Sequence, residues 1–495
     1  MKRIAYLSPV NPAPSGISDY SEELLPYLGQ YADLTVYLDD GLHPTNPHIR
    51  HHLELRPIRR LERDQRRRPF DAILYHMGNS PVHAAIWRAM QRLPGVLVLH
   101  DFVLHHFFLN YAAVVRRDVD GYRAEAARRY GPEGERVANL MLHGRVTPAA
   151  FEFPFSEEVI AAADGLIAHS RYVLERATAL RPGLPAALVP MGVPLPPAIP
   201  RDEARTRLGL PRDALLLASF GHINPYKRLE VILRALRTLR EEFDARYLLV
   251  GSISPSYNVR TAIARAGLAE AVTITGYVER ATFEDYVAAA DICLNLRHPT
   301  AGETSASLLR LLGAARPTLV SASGSFTELP PGVAAQVDIG PAEEELIVAY
   351  CRLLARRPEV AAAMGTAARA YVAQEHTLDR AARGYIRFLA TRYGWGEVPR
   401  ARGPLWEVGR QKHESSGQES GASRQKHESR SQELEPGTQH QRSEHRTQRS
   451  ALGEQPSVLS SVAQALVEIG ATDADTTLLA AAALALTEIR AGPGE

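Results

Sequence analysis

Two short stretches carry side chains whose types and spacing could hold a phosphorylated, polyhydroxylated ligand. The first is Arg297-His298-Pro299-Thr300-Ala301-Gly302-Glu303-Thr304-Ser305. This polar loop has one carboxylate, several hydroxyls and a glycine, and it joins an apolar run (Ile292, Cys293, Leu294, Leu296) to a helical one (Leu308, Leu309, Leu311, Leu312). Free backbone N–H groups and the helix dipole favour anions at such a helix start. The second is Phe220-Gly221-His222-Ile223-Asn224-Pro225-Tyr226-Lys227-Arg228, where a strand ends in a turn and a helix begins with two cations. Cations there oppose the dipole, so an anionic ligand would account for Lys227, which combines with the Glu303 loop; plain solvation explains Arg228 equally well. In the first half of the chain His100 and Asp101 follow a short strand, and Asp101 is suited to orient a ring or accept from a sugar hydroxyl. His76, Gly78 and Asn79 form a secondary set, and His105 and His106 read as histidines capped by local backbone. Nothing in the sequence favours a Ser-His-Asp hydrolase, since no nucleophile elbow of the G-x-S-x-G type occurs.

These residues need strands and helices to position them. Short, continuous apolar runs at 4–7, 34–38, 72–75, 96–99 and 166–168 read as strands buried on both faces, and helical runs separate them. A second series has strands at 215–220, 247–250, 272–275, 291–296 and 318–320, with helices at 229–239, 260–266 and 283–290. Alternation of this kind calls for parallel sheets covered by helices, with polar residues past the strand ends lining the site. The expected fold class is therefore α/β, two doubly wound Rossmann-like domains facing across a cleft. Residues 1–190 form the first domain and 191–378 the second, joined through a proline-rich linker at 184–200, and a helix within 379–400 crosses back to the first. A stretch within 408–456, rich in Gln, Ser, Glu, His and Arg, is expected to be disordered, since it cannot bury enough apolar surface to offset chain entropy. It contains one local duplication of Arg-Gln-Lys-His-Glu-Ser, at 410 and 424, and 457–491 is expected to form a helical hairpin.

With 495 residues there is room for two full cores, and a formal charge of +1 gives no bulk reason to expect nucleic acid. Two cysteines, Cys293 and Cys351, exclude a disulfide framework and a cysteine-based zinc site, and they suit a reducing, cytoplasmic setting. The first residues lack the apolar region of a signal peptide, and no run is long enough for a membrane helix. The basic run Arg56, Arg59, Arg60, Arg63, Arg66, Arg67, Arg68 is either a solvated face or a peripheral contact with anionic lipid at the inner face of the membrane.

Taken together, residues 221–227, Ile274-Thr275-Gly276-Tyr277-Val278, His169-Ser170, Pro190-Met191-Gly192-Val193 and Pro14-Ser15-Gly16-Ile17-Ser18-Asp19-Tyr20 resemble landmarks of the retaining glycosyltransferases of family 4, the group 1 glycosyl transferases. The resemblance covers about residues 1–395. It implies a GT-B fold, a nucleotide diphosphate sugar held mainly by the second domain, a saccharide or lipid-linked acceptor held by the first, and no metal or other cofactor. It also implies that Lys227 neutralises the departing diphosphate and that Glu303 takes the first acidic position of a paired-glutamate motif, beside the donor sugar. By the same resemblance Gly16 lets the first loop approach the phosphates. Gly221, His222, Arg228, Gly276, Tyr277, Thr304, Ser305 and Arg310 complete the donor site, with His100 and Asp101 as catalytic candidates. Two departures stand out. His222 replaces an arginine, and Arg310-Leu311 replaces the second glutamate, which in the family holds the nucleotide ribose. The second departure keeps open a non-catalytic subunit that binds sugar nucleotide or acts as a scaffold.

Overall fold

In the computed structural model, residues 1–145, 148–255, 257–403, 405 and 406 are described; the duplicated tract and the expected C-terminal hairpin lie outside them. The first unit holds β1 (Lys2–Leu7), β2 (Ala32–Leu38), β3 (Glu54–Pro57), β4 (Ala72–Met77), β5 (Val96–Leu99), β6 (Gly165–Ala168) and β7 (Ala186–Leu188). Its helices are α1 (Gly16–Leu28), α2 (Pro47–His52), α3 (Leu61–Arg67), α4 (Ala84–Arg92), α5 (His105–Asn110), α6 (Val119–Leu142), α7 (Glu157–Ala161) and α8 (Arg171–Leu180). The second unit holds β8 (Leu215–Phe220), β9 (Ala245–Val250), β10 (Val272–Gly276), β11 (Ile292–Asn295), β12 (Thr318–Ser321) and β13 (Ala335–Val337). Around these strands lie α9 (Arg201–Leu208), α10 (Leu229–Leu239), α11 (Val259–Arg265), α12 (Arg280–Ala289), α13 (Ala306–Gly313), α14 (Glu343–Arg356), α15 (Pro358–Glu375) and α16 (Leu378–Tyr393).

Both sheets are parallel throughout, with orders β3-β2-β1-β4-β5-β6-β7 and β10-β9-β8-β11-β12-β13. Their central strands are Ile-, Leu- and Val-rich and buried, because helices cover both faces. In each sheet the order reverses beside the first strand, between β1 and β4 and between β8 and β11. A ligand crevice opens at such a reversal, past the carboxyl ends of the strands. Those ends carry the loops that lead to Gly16, Gly78, Gly221 and Glu303.

Several elements depart from expectation. Strands β3, β7 and β13 were not anticipated: β3 is a polar edge strand, while β7 and β13 are only three residues long, too short to show a period. Strand β7 falls within the stretch expected to be pure linker. Likewise α9, rich in Arg, Asp and Glu, has no apolar stripe, although Arg205 is buried by hydrogen bonds to four main-chain carbonyls and by its pair with Asp291. His76 lies within β4 rather than beyond its end. Helix α6 is broken at Gly131 (φ 69°), immediately before Pro132.

The units meet through polar and apolar contacts, the latter including the Phe151 and Tyr226 rings, 4.7 Å apart. The Ala301 carbonyl accepts from Phe102 N (2.7 Å) and Val103 N (2.9 Å). Glu328 accepts from Arg171 N (2.8 Å) and Tyr172 N (2.6 Å), placing a carboxylate at the positive start of α8. Glu23 of α1 accepts from Arg310 (2.7 and 2.9 Å) and also pairs with Arg280. Helix α16 packs on α1, where Tyr385 Oη lies 3.2 Å from Tyr20 Oη.

Candidate active site

Strand β8 delivers Gly221 to the cleft with φ 85°, a left-handed conformation that suits glycine. The backbone is crowded here: a Cβ on Gly251 would collide with the Gly221 carbonyl oxygen. Asn224 then caps Tyr226 N, the turn Pro225–Lys227 follows, and the Lys227 ammonium donates to the Phe220 carbonyl. Lys227 is 8% exposed. Burial, reinforced by the nearby Arg297 cation and opposed by Glu303, pushes its ammonium down to about 7.

Past the end of β11, Arg297 pairs with Glu303, and Thr300 Oγ1 donates to the same carboxylate at 2.8 Å. Burial alone would raise the Glu303 value. Arg297 and these hydrogen bonds outweigh it and hold Glu303 below the usual carboxylate range, so it is an anion at neutral pH. Ser305 starts α13 by accepting from Leu308 N (3.2 Å), and its hydroxyl lies 3.0 Å from that of Ser307. Gly302 is positioned against the first unit: a Cβ there would meet Tyr172 Cε1 at 2.6 Å. Lys227, Arg297, Glu303 and the start of α13 thus form one largely dehydrated cluster on the second unit.

Across the cleft, Asp101 accepts from Asn79 N at 2.7 Å. Burial and the neighbouring Glu303 anion push its carboxyl up to about 7, against the opposing pull of Asn79 N and Arg297. Asp101 and Glu303 therefore have separated roles near neutral pH, one carboxyl half-protonated and one ionised. A stability signature follows. From about pH 4 to 7 the folded state holds a proton on Asp101 that the unfolded chain has released, so stability falls as pH rises through that window. Asp101→Asn, which mimics the protonated form, is expected to raise the melting temperature at about pH 8 and to leave it unchanged at about pH 4. Scanning calorimetry checks this, and an equal shift at both pH values would contradict it.

Other expected site residues sit differently. His100 turns into the first unit's interior, with Nε2 2.9 Å from His76 Nδ1 and its ring 4.9 Å from that of His169. Burial holds all three imidazoles well under their ordinary value and therefore neutral. The second nitrogen of each, His100 Nδ1, His76 Nε2 and His169 Nε2, is buried without a hydrogen-bond partner among the described residues. His105 is bound by the Ala150 and Phe153 carbonyls and Tyr122 Oη, while His106 Nδ1 meets Asn79 Nδ2 at 3.1 Å. Gly78 lies against the cleft, since a Cβ would sit 2.9 Å from Asp101 Oδ2. Gly16 opens α1 behind the Ser15 cap, with nothing within 4 Å of a Cβ.

Arg228 is drawn away from the cluster into a two-pronged pair with Glu343, and Arg310 is committed to Glu23. His222 is exposed and meets Ser252 Oγ at 3.0 Å. Gly276 (φ 73°) ends β10, and Tyr277 beyond it is 77% exposed. Thr304 lies half-buried between Glu303 and Ser305. Sequence reasoning did not single out Arg297, Thr300 or Glu23. The first two lie in the same polar loop as Glu303. Glu23 gave a weaker signal, a carboxylate on the face of α1 that carries Tyr20 and Leu24. Among the described residues no three His, Cys, Asp or Glu side chains converge as metal ligands.

Two parallel-sheet units facing across a cleft, with the charged loops at both switch points, define a GT-B fold. Solved structures agree: sucrose-phosphate synthase from Thermosynechococcus elongatus superposes with a TM-score of 0.56 at 16% identity, over 80% of this chain and 100% of that one. Anabaena HepE in complex with UDP-glucose gives 0.55 at 16% identity, over 79% and 100%. Residues 214–356, within the second unit, match the family of glycosyl transferases group 1. Curated relatives include D-inositol 3-phosphate glycosyltransferases from Stackebrandtia nassauensis, 36% identical over 153 residues (28% of this chain, 34% of that protein), and Actinosynnema mirum, 38% over 131 residues (25% and 31%). The chain thus spans about a third of the length of these two relatives.

Proposed function

We propose that the protein transfers a sugar from a nucleoside diphosphate sugar to a hydroxyl of a saccharide or lipid-linked acceptor, with retention at the anomeric carbon. The observation that carries this reading is the buried Lys227 ammonium beside Gly221, with the start of α13 and the Glu303 carboxylate in the same cluster. A diphosphate seated there takes its charge compensation from Lys227 and the α13 N–H groups, leaving Glu303 beside the donor sugar. The acceptor oxygen bonds to the anomeric carbon as the bond to the diphosphate breaks, and the acceptor proton passes to a diphosphate oxygen. Asp101, on the opposite wall, is placed to hydrogen-bond a sugar or acceptor hydroxyl.

The depressed Lys227 value supplies a test. Above about pH 7 much of the ammonium has lost its proton in the free protein, and a bound diphosphate draws the proton back. Titration calorimetry with UDP-glucose at about pH 8, in buffers of differing ionisation enthalpy, should show uptake approaching one proton per donor. Binding heats independent of the buffer would count against the seat.

Arg310, locked to Glu23 where the family's second glutamate is expected, favours a second reading, a subunit that binds donor without turning it over. Release of free nucleotide when acceptor is added separates the two. No helix of the described residues is long and apolar enough to cross a membrane. Contact with anionic lipid would fall to Arg60, Arg63, Arg66, Arg67 and Arg68, which are exposed, whereas Arg56 is tied to Glu54 and Asp64, and Arg59 to Asp40.

A further inference from the structure

A cavity of about 290 Å³ lies where the inter-domain linker meets the back of the second unit. That is close to the lower end of the roughly 300–1,000 Å³ of small-molecule sites. Pro196, Ile199, Phe283 and Val287 give it apolar walls, and Arg310, Arg316 and Arg369 reach its edge. The cavity touches the C-terminal end of α13, at Ala314 and Ala315, whereas Glu303 and Ser305 precede that helix. Eight helical residues span about 12 Å, so this space is separate from the proposed diphosphate seat.

The charge balance is one-sided. Glu284, the one carboxylate among the lining residues, is engaged by Arg280 (3.1 Å), and Arg310 is neutralised by Glu23. Arg316 and Arg369 have no carboxylate partner among the described residues. Arg316 donates through Nε and Nη1 to the carbonyls of Ala314, Ala288 and Ala290, and Arg369 through Nη1 to those of Pro196 and Gly313. Capping the ends of α12 and α13, with a bond from Arg369 to the linker, explains those edges of the two guanidiniums. It leaves Nη2 of each, and Nε of Arg369, without a hydrogen-bond acceptor among the described residues. Two guanidiniums with spare donors at the rim of an apolar cavity match an anion that carries an apolar body.

We propose that this linker cavity binds a small organic anion, its carboxylate or phosphate on Arg316 and Arg369 and its apolar part between the linker prolines and α12. The test is calorimetry on the full chain with octanoate, octyl phosphate, acetate and 1-octanol. One saturable site is expected for the two amphiphilic anions, at least tenfold tighter than for acetate or 1-octanol, and the tighter of the pair identifies the headgroup. Arg369→Gln keeps a donor for the Pro196 carbonyl and is expected to weaken binding at least tenfold. Ala314→Leu, which fills the cavity without touching a charge, is expected to do the same. Octanoate and octyl phosphate binding no tighter than acetate, or affinity unchanged by both variants, would overturn the assignment.

Discussion

Replacing Lys227 with alanine is expected to lower turnover by about 10²–10³-fold, the range typical of removing one fixed group that stabilises charge developing on a leaving group. The ammonium is buried and held by the Phe220 carbonyl, so the free protein spends energy keeping a cation out of water. The variant should therefore fold at least as stably as the parent, most clearly below about pH 7, where the folded protein carries that buried charge in full. Steady-state nucleotide release and a melting curve on the same preparation separate the two effects. Lost activity with an intact melting transition is the predicted pair. Unchanged turnover would remove Lys227 from the reaction.

Glu303→Gln is expected to fail in both respects. Arg297 loses its counter-charge in a site where both side chains are less than one-fifth exposed. Stranding one member of a buried pair typically costs about 3–5 kcal/mol. Thr300 also loses its carboxylate acceptor. Adding Arg297→Met should return much of the lost stability, because the stranded charge is gone, and should return no activity, because the donor-side acid is still missing. Denaturant unfolding of the single and double variants makes the cycle. Recovery of activity in the double variant would show that Glu303 acts only by neutralising Arg297.

The parts of the site that depend on local pattern are legible in the residue order. The ends of β8 and β11 show as apolar runs breaking into Gly221 and Arg297, and α10 and α13 show through spaced leucines, so the loops bearing Lys227 and Glu303 stand out from residue types and spacing alone. What stays hidden depends on partners far away in the chain. Arg310 meets Glu23 across 287 positions, and Arg228 meets Glu343 across 115; neither pairing leaves a periodic trace. His100 and Asp101 are neighbours with opposite fates, because successive residues leaving a strand point to opposite sides. One enters the His76–His169 stack and the other faces Glu303. Edge strands as short as β7 and β13 carry too few residues for a period, and α9 is held by the main-chain hydrogen bonds of Arg205 rather than by an apolar stripe.

The most direct test is a crystal structure of the protein with UDP bound. The diphosphate is expected at the Gly221 turn, within hydrogen-bonding distance of Lys227 Nζ and of the N–H groups opening α13, with the Phe220 carbonyl released from the ammonium. Phosphates bound elsewhere, with Lys227 still tied to Phe220, would contradict it.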